Sequence, residues 1–281
     1  MSALAGRPFA KMNGLGNEIV VVDLRGTKIS VTPQEARAIH AAKGLAYDQL
    51  MVIEDRHTSD TEAFVRILNN DGTESGACGN GTRCVAYIMT RAGTPHRFYV
   101  ETRAGRLECV RQDELIYTVD MGEPRLDWHD IPLIQAQADT RAIDLIFENL
   151  PKPAVANMGN PHAVFFVSDM DAIDLKHVGP PLETHEMFPE KANISIAQVM
   201  NADHIRLKVW ERGVGITQAC GSAACATAVS AARRGLTHRK TRVTLPGGDL
   251  FIDWRESDNH VMMTGPVELE FEGRFEAAIF A

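Results

Sequence analysis

Long apolar runs are missing from this 281-residue chain. Nowhere do about 18 uncharged apolar residues follow one another, as a membrane-spanning helix would need. The opening "MSALAGRPFAKMNGLGNEIV" likewise lacks the apolar stretch of a secretory leader. Both absences predict a cytoplasmic protein with no membrane association. Blocks of Lys and Arg are also missing and the formal net charge is −8, which argues against a nucleic-acid or anionic-lipid surface. Small molecules and a second copy of the chain remain as expected partners. The cysteines, at 78, 84, 109, 220 and 225, are odd in number and make a poor disulfide framework, so reduced thiols are expected. Their spacings, Cys-x5-Cys and Cys-x4-Cys without paired histidines, fall outside the pattern of a structural zinc site, and no metal is expected. "GLG" followed by Ile19 where a third glycine would fall is not a dinucleotide fingerprint, and no pyridoxal lysine motif is evident, so no cofactor is expected.

What is present is a repeat. "ACGNGTRCVAYIMTRAG" (77–93) and "ACGSAACATAVSAARRG" (219–235) align without gaps at Ala77/Ala219, Cys78/Cys220, Gly79/Gly221, Ala86/Ala228, Arg91/Arg233 and Gly93/Gly235, a constant offset of 142 residues. That offset is the size of a domain. Duplication into two similar lobes, each starting a helix with a cysteine, is the reading it supports; chance similarity of two Ala-rich helices is the plainer alternative.

Around these helices lie short β-rich runs, among them "EIVVVDLR", "QLMVIED", "AFVRILNN", "HAVFFV", "NISIAQVM", "HIRLKVW" and "HVMMTGPVELEFEG". Turn residues separate them at intervals typical of antiparallel sheet. Three helices are predicted. One is "TPQEARAIHAA", with Thr32 and Glu35 forming a capping box and Pro33 at the first helical position. The other two follow Cys78 and Cys220, and "SAACATAVSAA", small or apolar on every side, must be buried all round. Cys84 and Cys225 read as small buried hydrophobes within them. The predicted fold is α+β: two lobes, each an antiparallel β-roll or barrel around a central buried helix, related by a pseudo-twofold axis. The lobes are placed at 1–121 and 122–265, with "MGEPRLDWHDIPLIQAQADTRAI" as the crossover. Periodicity does not tell whether 266–281 returns to complete the first lobe.

A cysteine at a helix N-terminus gains thiolate character from the free N–H groups and the dipole, which lower its pKa from about 8.5 toward neutral. The same free N–H groups, at Gly79-Asn80 and Gly221-Ser222, can hold a carboxylate. Two such ends on opposite faces of one carbon suit stereoinversion: one thiolate removes the α-proton and the other thiol returns a proton. Two inert cysteines in tight turns remain the bland alternative.

The chain resembles the diaminopimelate epimerase family of pyridoxal-phosphate-independent racemases, through "KMNGLGNE", "YDQLMVIE", "NNDGTESGACGNGTRC", "MGNPHAV", "KANISIAQV" and "ERGVGITQACGS". The resemblance implies a homodimer that interconverts LL- and meso-2,6-diaminopimelate without a cofactor, for lysine and cell-wall precursors, in a cleft between two barrel-like lobes. It implies that Cys78 and Cys220 are the acid/base pair, with Gly79-Asn80 and Gly221-Ser222 clamping the reacting carboxylate. It further implies that Asn17, Gln49, Asn69, Asn160 and Asn193 bind substrate. His162 and Glu211 would tune the thiols, Glu211 also touching substrate, and Arg212 would hold the distal carboxylate.

Taken singly, these residues have plainer readings. Asn17, Asn69, Asn160 and Asn193 suit turns or strand edges, Gln49 a polar surface, His162 a structural hydrogen bond, and Glu211-Arg212 a solvated charge pair. The chain departs from the commonest family pattern at Glu18, Ile216 and Ala223, the last adding a methyl to the first turn of the second helix. Rival readings are a proline or hydroxyproline racemase, which would have His where Asn80 stands, and a non-catalytic amino-acid-binding protein of the same fold.

Overall fold

A computed structural model describes residues 2–281. In chain order the elements are β1 (Pro8–Asn13), β2 (Glu18–Asp23), α1 (Pro33–Ala41), β3 (Gln49–Glu54), β4 (Ala63–Asn69), β5 (Glu74–Ser75), α2 (Gly79–Arg91), β6 (Arg97–Thr102), β7 (Gly105–Arg111) and β8 (Ile116–Asp120). There follow β9 (Ala154–Asn157), β10 (Pro161–Phe166), α3 (Leu175–Glu183), β11 (Asn193–Asn201), β12 (His204–Glu211), β13 (Gly215–Ile216), α4 (Gly221–Arg233), β14 (Lys240–Leu245), β15 (Gly248–Trp254), β16 (Val261–Pro266) and β17 (Glu268–Arg274), with a short 3-10 turn at Ala277–Phe280. They form two compact units, Met1–Val119 with Gly265–Ala281, and Asp120–Thr264.

In the first unit the strands run β17-β1-β2-β3-β4-β6-β7-β8, antiparallel except for the parallel pairs β2/β3 and β4/β6. Helices α1 and α2 make those two parallel crossovers. In the second unit the order is β9-β10-β11-β12-β14-β15-β16, and here too the parallel pairs, β10/β11 and β12/β14, are those that span a helix, α3 and α4. The two units therefore share one topology, and α1/α3 and α2/α4 start at the same 142-residue offset as the cysteines. Parallel pairing was not legible in the sequence, because alternation fixes which face a residue takes and not which strand lies beside it.

Alternation also places the site. Leu50 and Val52 of β3 face the core built on α1 with Val20, Val22, Ala36 and Ile39. The intervening Met51 faces α2, where a Cβ on Gly81 would sit 2.5 Å from its sulfur. In the second unit Ala163 and Phe165 of β10 join the α3 core with Leu182, Ile194 and Ile196. His162 takes the other face and meets Ser222 at the start of α4. Helix α1 carries the predicted capping box and N-terminal proline. Helix α4 is buried from Ala223 to Ala231, as its composition requires.

One expectation needs correction, and two others gain detail. A fourth helix, α3, carries Pro180 and Pro181 inside it; an Asp174 N-cap and the packing of Leu175, Val178 and Leu182 hold it despite the lost N–H donors. Residues 121–153 contain no helix or strand, yet they are more than a crossover: Ile131, Leu133, Ile143 and Leu145 are buried in the second unit's core. The run "HVMMTGPVELEFEG" is two strands, broken at Val267, and the second pairs with β1 in the first unit. Among the described residues no helix is long and apolar enough to cross a membrane.

Candidate active site

Each cysteine is the N-cap of a 13-residue helix in extended backbone conformation. The first helical bonds are Thr82 N–H to Cys78 O and Ala224 N–H to Cys220 O, so the N–H groups of Gly79-Asn80 and Gly221-Ser222 lie outside the helical ladder and are available to an anion.

In the first unit the ladder sets Ile19 beside Gln49 and Gln49 beside Asn69, which brings the starts of β2 and β3 and the end of β4 together. Cys78 is partly exposed, and its Sγ accepts from Gly81 N–H at 3.3 Å. Gln49 Oε1 lies 3.5 Å and Asn17 Oδ1 3.8 Å from the sulfur. Asn80 is buried; its amide nitrogen donates to Asn17 Oδ1 at 3.4 Å, while its Oδ1 has no partner. Asn69 lies across the ladder from Gln49, and its side chain donates to Thr73 Oγ1 at 3.0 Å, a turn contact as its residue type suggested. Asp48, which lies in "YDQLMVIE" but is not among the expected site residues, accepts from both Asn17 Nδ2 and Glu18 N–H. Its role shows only in its partners.

In the second unit His162 pairs with Asn193, and one step along the β11/β12 ladder sets Asn193 opposite Glu211. His162 is fully buried, and burial, with the Arg212 charge, pushes its pKa down to about 3, so the ring is neutral. Its Nε2 lies 2.8 Å from Asn160 Oδ1 and 3.1 Å from Ser222 Oγ, and Ser222 Oγ is 3.5 Å from Cys220 Sγ. Asn193 donates to Pro161 O and accepts from Arg212 N–H. Arg212 donates from one guanidinium nitrogen to Glu190 O at 2.8 Å. Glu211 accepts from Thr217 Oγ1, a residue within "ERGVGITQACGS" that is not among the expected site residues.

The expected lowering of a helix-capping thiol's pKa fails at Cys220. The thiol is 6% exposed, and burial together with the Glu211 carboxylate raises its pKa well above 9, against the smaller help of Ser222 and Ala223 N–H. Desolvation outweighs the helix end when the sulfur is this deep. Ala223, whose extra methyl departs from the family pattern, is fully buried and so fills core space. Its counterpart Gly81 has no such room beside Met51. Cys84 is likewise buried, with its pKa pushed up to about 12. Among the described residues no group of three or more His, Cys, Asp or Glu is placed to hold a metal ion.

A family model described as diaminopimelate epimerase matches residues 9–126 and 154–270. A diaminopimelate epimerase of Methylocella silvestris is 57% identical over 286 residues, covering 100% of this chain and 99% of the relative. Another, from Rhodopseudomonas palustris strain BisB18, is 55% identical with the same coverage. Among solved structures, a PhzF-family phenazine biosynthesis protein of Enterococcus faecalis has a TM-score of 0.70 at 13% identity, over 96% of this chain and 98% of that one. A hydroxyproline epimerase of Agrobacterium vitis has a TM-score of 0.66 at 13% identity, over 99% and 94%. The solved structures share the fold; the sequence relatives carry the assignment, and on both the family match and identity along the whole length this chain belongs to the diaminopimelate epimerase family.

Proposed function

We propose that the chain interconverts LL- and meso-2,6-diaminopimelate by exchanging the α-proton between Cys78 and Cys220, in lysine and cell-wall precursor synthesis. The observation that carries this reading is the cysteine N-cap at the same place in both copies of one topology, within a chain of this family. Inversion needs a base on one face of the carbon and an acid on the other, and each unit supplies one. Cys220, buried beside Glu211, is held as the neutral thiol and serves at rest as the acid. The base role falls to Cys78, whose sulfur is partly exposed and already accepts the Gly81 N–H.

The free N–H groups of Gly79-Asn80 and Gly221-Ser222 take up the charge that moves onto the substrate carboxylate as the proton leaves. Neutral His162, through Ser222, offers Cys220 a polar partner that adds no charge. Arg212 is braced by Glu190 O and Asn193, and its fork matches the distal carboxylate of a long substrate. A homodimer in the cytoplasm is part of the proposal and rests on the resemblance in sequence.

The test is incubation of purified protein with LL-diaminopimelate and chromatographic resolution of the stereoisomers. Approach to an LL/meso mixture without added pyridoxal phosphate or metal is the expected result. Inert diaminopimelate alongside racemised proline or hydroxyproline would overturn it.

A further inference from the structure

Glu183 is the last residue of α3 and is 7% exposed. A carboxylate there sits at the negative end of the helix, where a cation is normally favoured. Its two oxygens are both engaged. Oε2 accepts from Trp210 Nε1 at 2.7 Å, and Oε1 accepts from Gly213 N–H at 3.0 Å, with Lys191 Nζ 3.6 Å away. Trp210 and Gly213 are the residues immediately before and after Glu211-Arg212.

The corresponding turn of the first unit is held differently. There Asn69 N–H bonds Thr73 O, Gly72 N–H bonds Asn69 O, and Asp71 accepts from both N–H and Oγ1 of Thr73, while the support from α1 is an exposed arginine, Arg37, donating to Asp71 O, and not a buried carboxylate. The turn after Glu211 is closed by Val214 N–H to Glu211 O and by the pairing of Glu211 with Gly215 between β12 and β13, and α3 holds it from outside through Glu183. Trp210 lies flat on α3, where a Cβ on Gly179 would come within 2.6 Å of the indole.

We propose that Glu183 is a positioning residue whose bidentate grip on Trp210 and Gly213 fixes where Glu211 and Arg212 stand, so that α3 sets the distal-carboxylate end of the site. The role assigned to Arg212 rests on the function proposed above; the grip itself does not.

Glu183→Gln tests it, because the amide must turn its –NH2 toward either the indole N–H or the Gly213 N–H, donor against donor. The expected result is a fall in kcat/KM on diaminopimelate of about tenfold or more, carried mainly by KM, since small displacements of a positioning group cost that much. Trp210→Phe alone should cost about threefold. The double variant should recover to the level of Trp210→Phe, because the introduced amide can then offer its oxygen to Gly213 while its –NH2 faces no competing donor. Hydrogen exchange of the peptide spanning 211–216 should be faster in Glu183→Gln, with exchange of peptides in the first unit unchanged. Wild-type exchange of that peptide in Glu183→Gln, or strictly additive losses in the double variant, would overturn the proposal. If the wild-type chain does not turn over diaminopimelate, the functional reading falls and the exchange measurement still decides the grip.

Discussion

Asp48 Oδ2 accepts from Asn17 Nδ2 at 2.8 Å, and this fixes which end of the Asn17 amide faces Cys78. A carboxylate can only accept, so the amide nitrogen must point to Asp48 and the carbonyl oxygen toward the sulfur. In the second unit the equivalent amide, Asn160, is addressed by His162 Nε2 at its oxygen instead. Asp48→Ala should release Asn17 to turn over and lower kcat/KM on LL-diaminopimelate by about tenfold, whereas Asp48→Asn, which keeps an acceptor oxygen, should stay within about threefold. Equal losses in the two variants would mean that the charge of Asp48, and not its orientation of Asn17, is what matters.

The thiols should separate by reactivity. With iodoacetamide at about pH 7.5, Cys78 is expected to react at least about tenfold faster than Cys220, whose burial and Glu211 neighbour keep it protonated. Cys84 and Cys225, fully buried, should stay unmodified until the protein unfolds. Peptide mapping by mass spectrometry over a time course reads this out, and early labelling of Cys220 would contradict it.

Cys78→Ala and Cys220→Ala should each abolish epimerisation. In D2O, the wild-type product should carry deuterium at the inverted carbon at early times while recovered substrate remains protiated, because the proposed mechanism removes the proton to one sulfur and delivers another from the second. Mass spectrometry of both pools during the first turnovers checks this. Substantial return of the substrate's own α-hydrogen to product would point to a single base.

His162 makes stability depend on pH. Its pKa in the folded protein is about 3, below the value near 6.5 of an unfolded histidine, so between these limits the unfolded chain binds the extra proton. Stability is therefore complete above about pH 6.5 and falls as the pH drops toward about 3. At about pH 4.5 the loss from this one group is on the order of 2–3 kcal/mol. Urea unfolding from about pH 4 to about pH 7 should show this slope in the wild type and a flatter one in His162→Asn, whatever the variant's absolute stability. Parallel curves would refute the assignment.

The sequence carried the elements whose signals are local. Thr32, Pro33 and Glu35 announced α1, and the all-small surface of 221–233 announced a buried helix. It did not carry α3, because Gly179, Pro180 and Pro181 disfavour a helix, and the Asp174 cap suffices only with the packing of Leu175, Val178 and Leu182 and of Trp210 against Gly179. The site divides in the same way. Cys78, Cys220 and the amides around them lie in contiguous motifs and are found by resemblance. Asp48 and Thr217 lie in the same motifs, but their roles, like that of Glu183, depend on partners brought near by pairing between strands or across a turn, which no spacing in the chain announces.

The pairing of β17 with β1 has a consequence for folding. The second unit is a continuous stretch, Asp120–Thr264, and can close its core without a strand from elsewhere in the chain. The first unit, although begun earliest, must wait for Gly265–Ala281 before β1 gains its neighbour and Phe9 its stacking partner Phe275. Until then β1 presents an open edge on which another extended chain could pair, and the unit that holds Cys78 is incomplete.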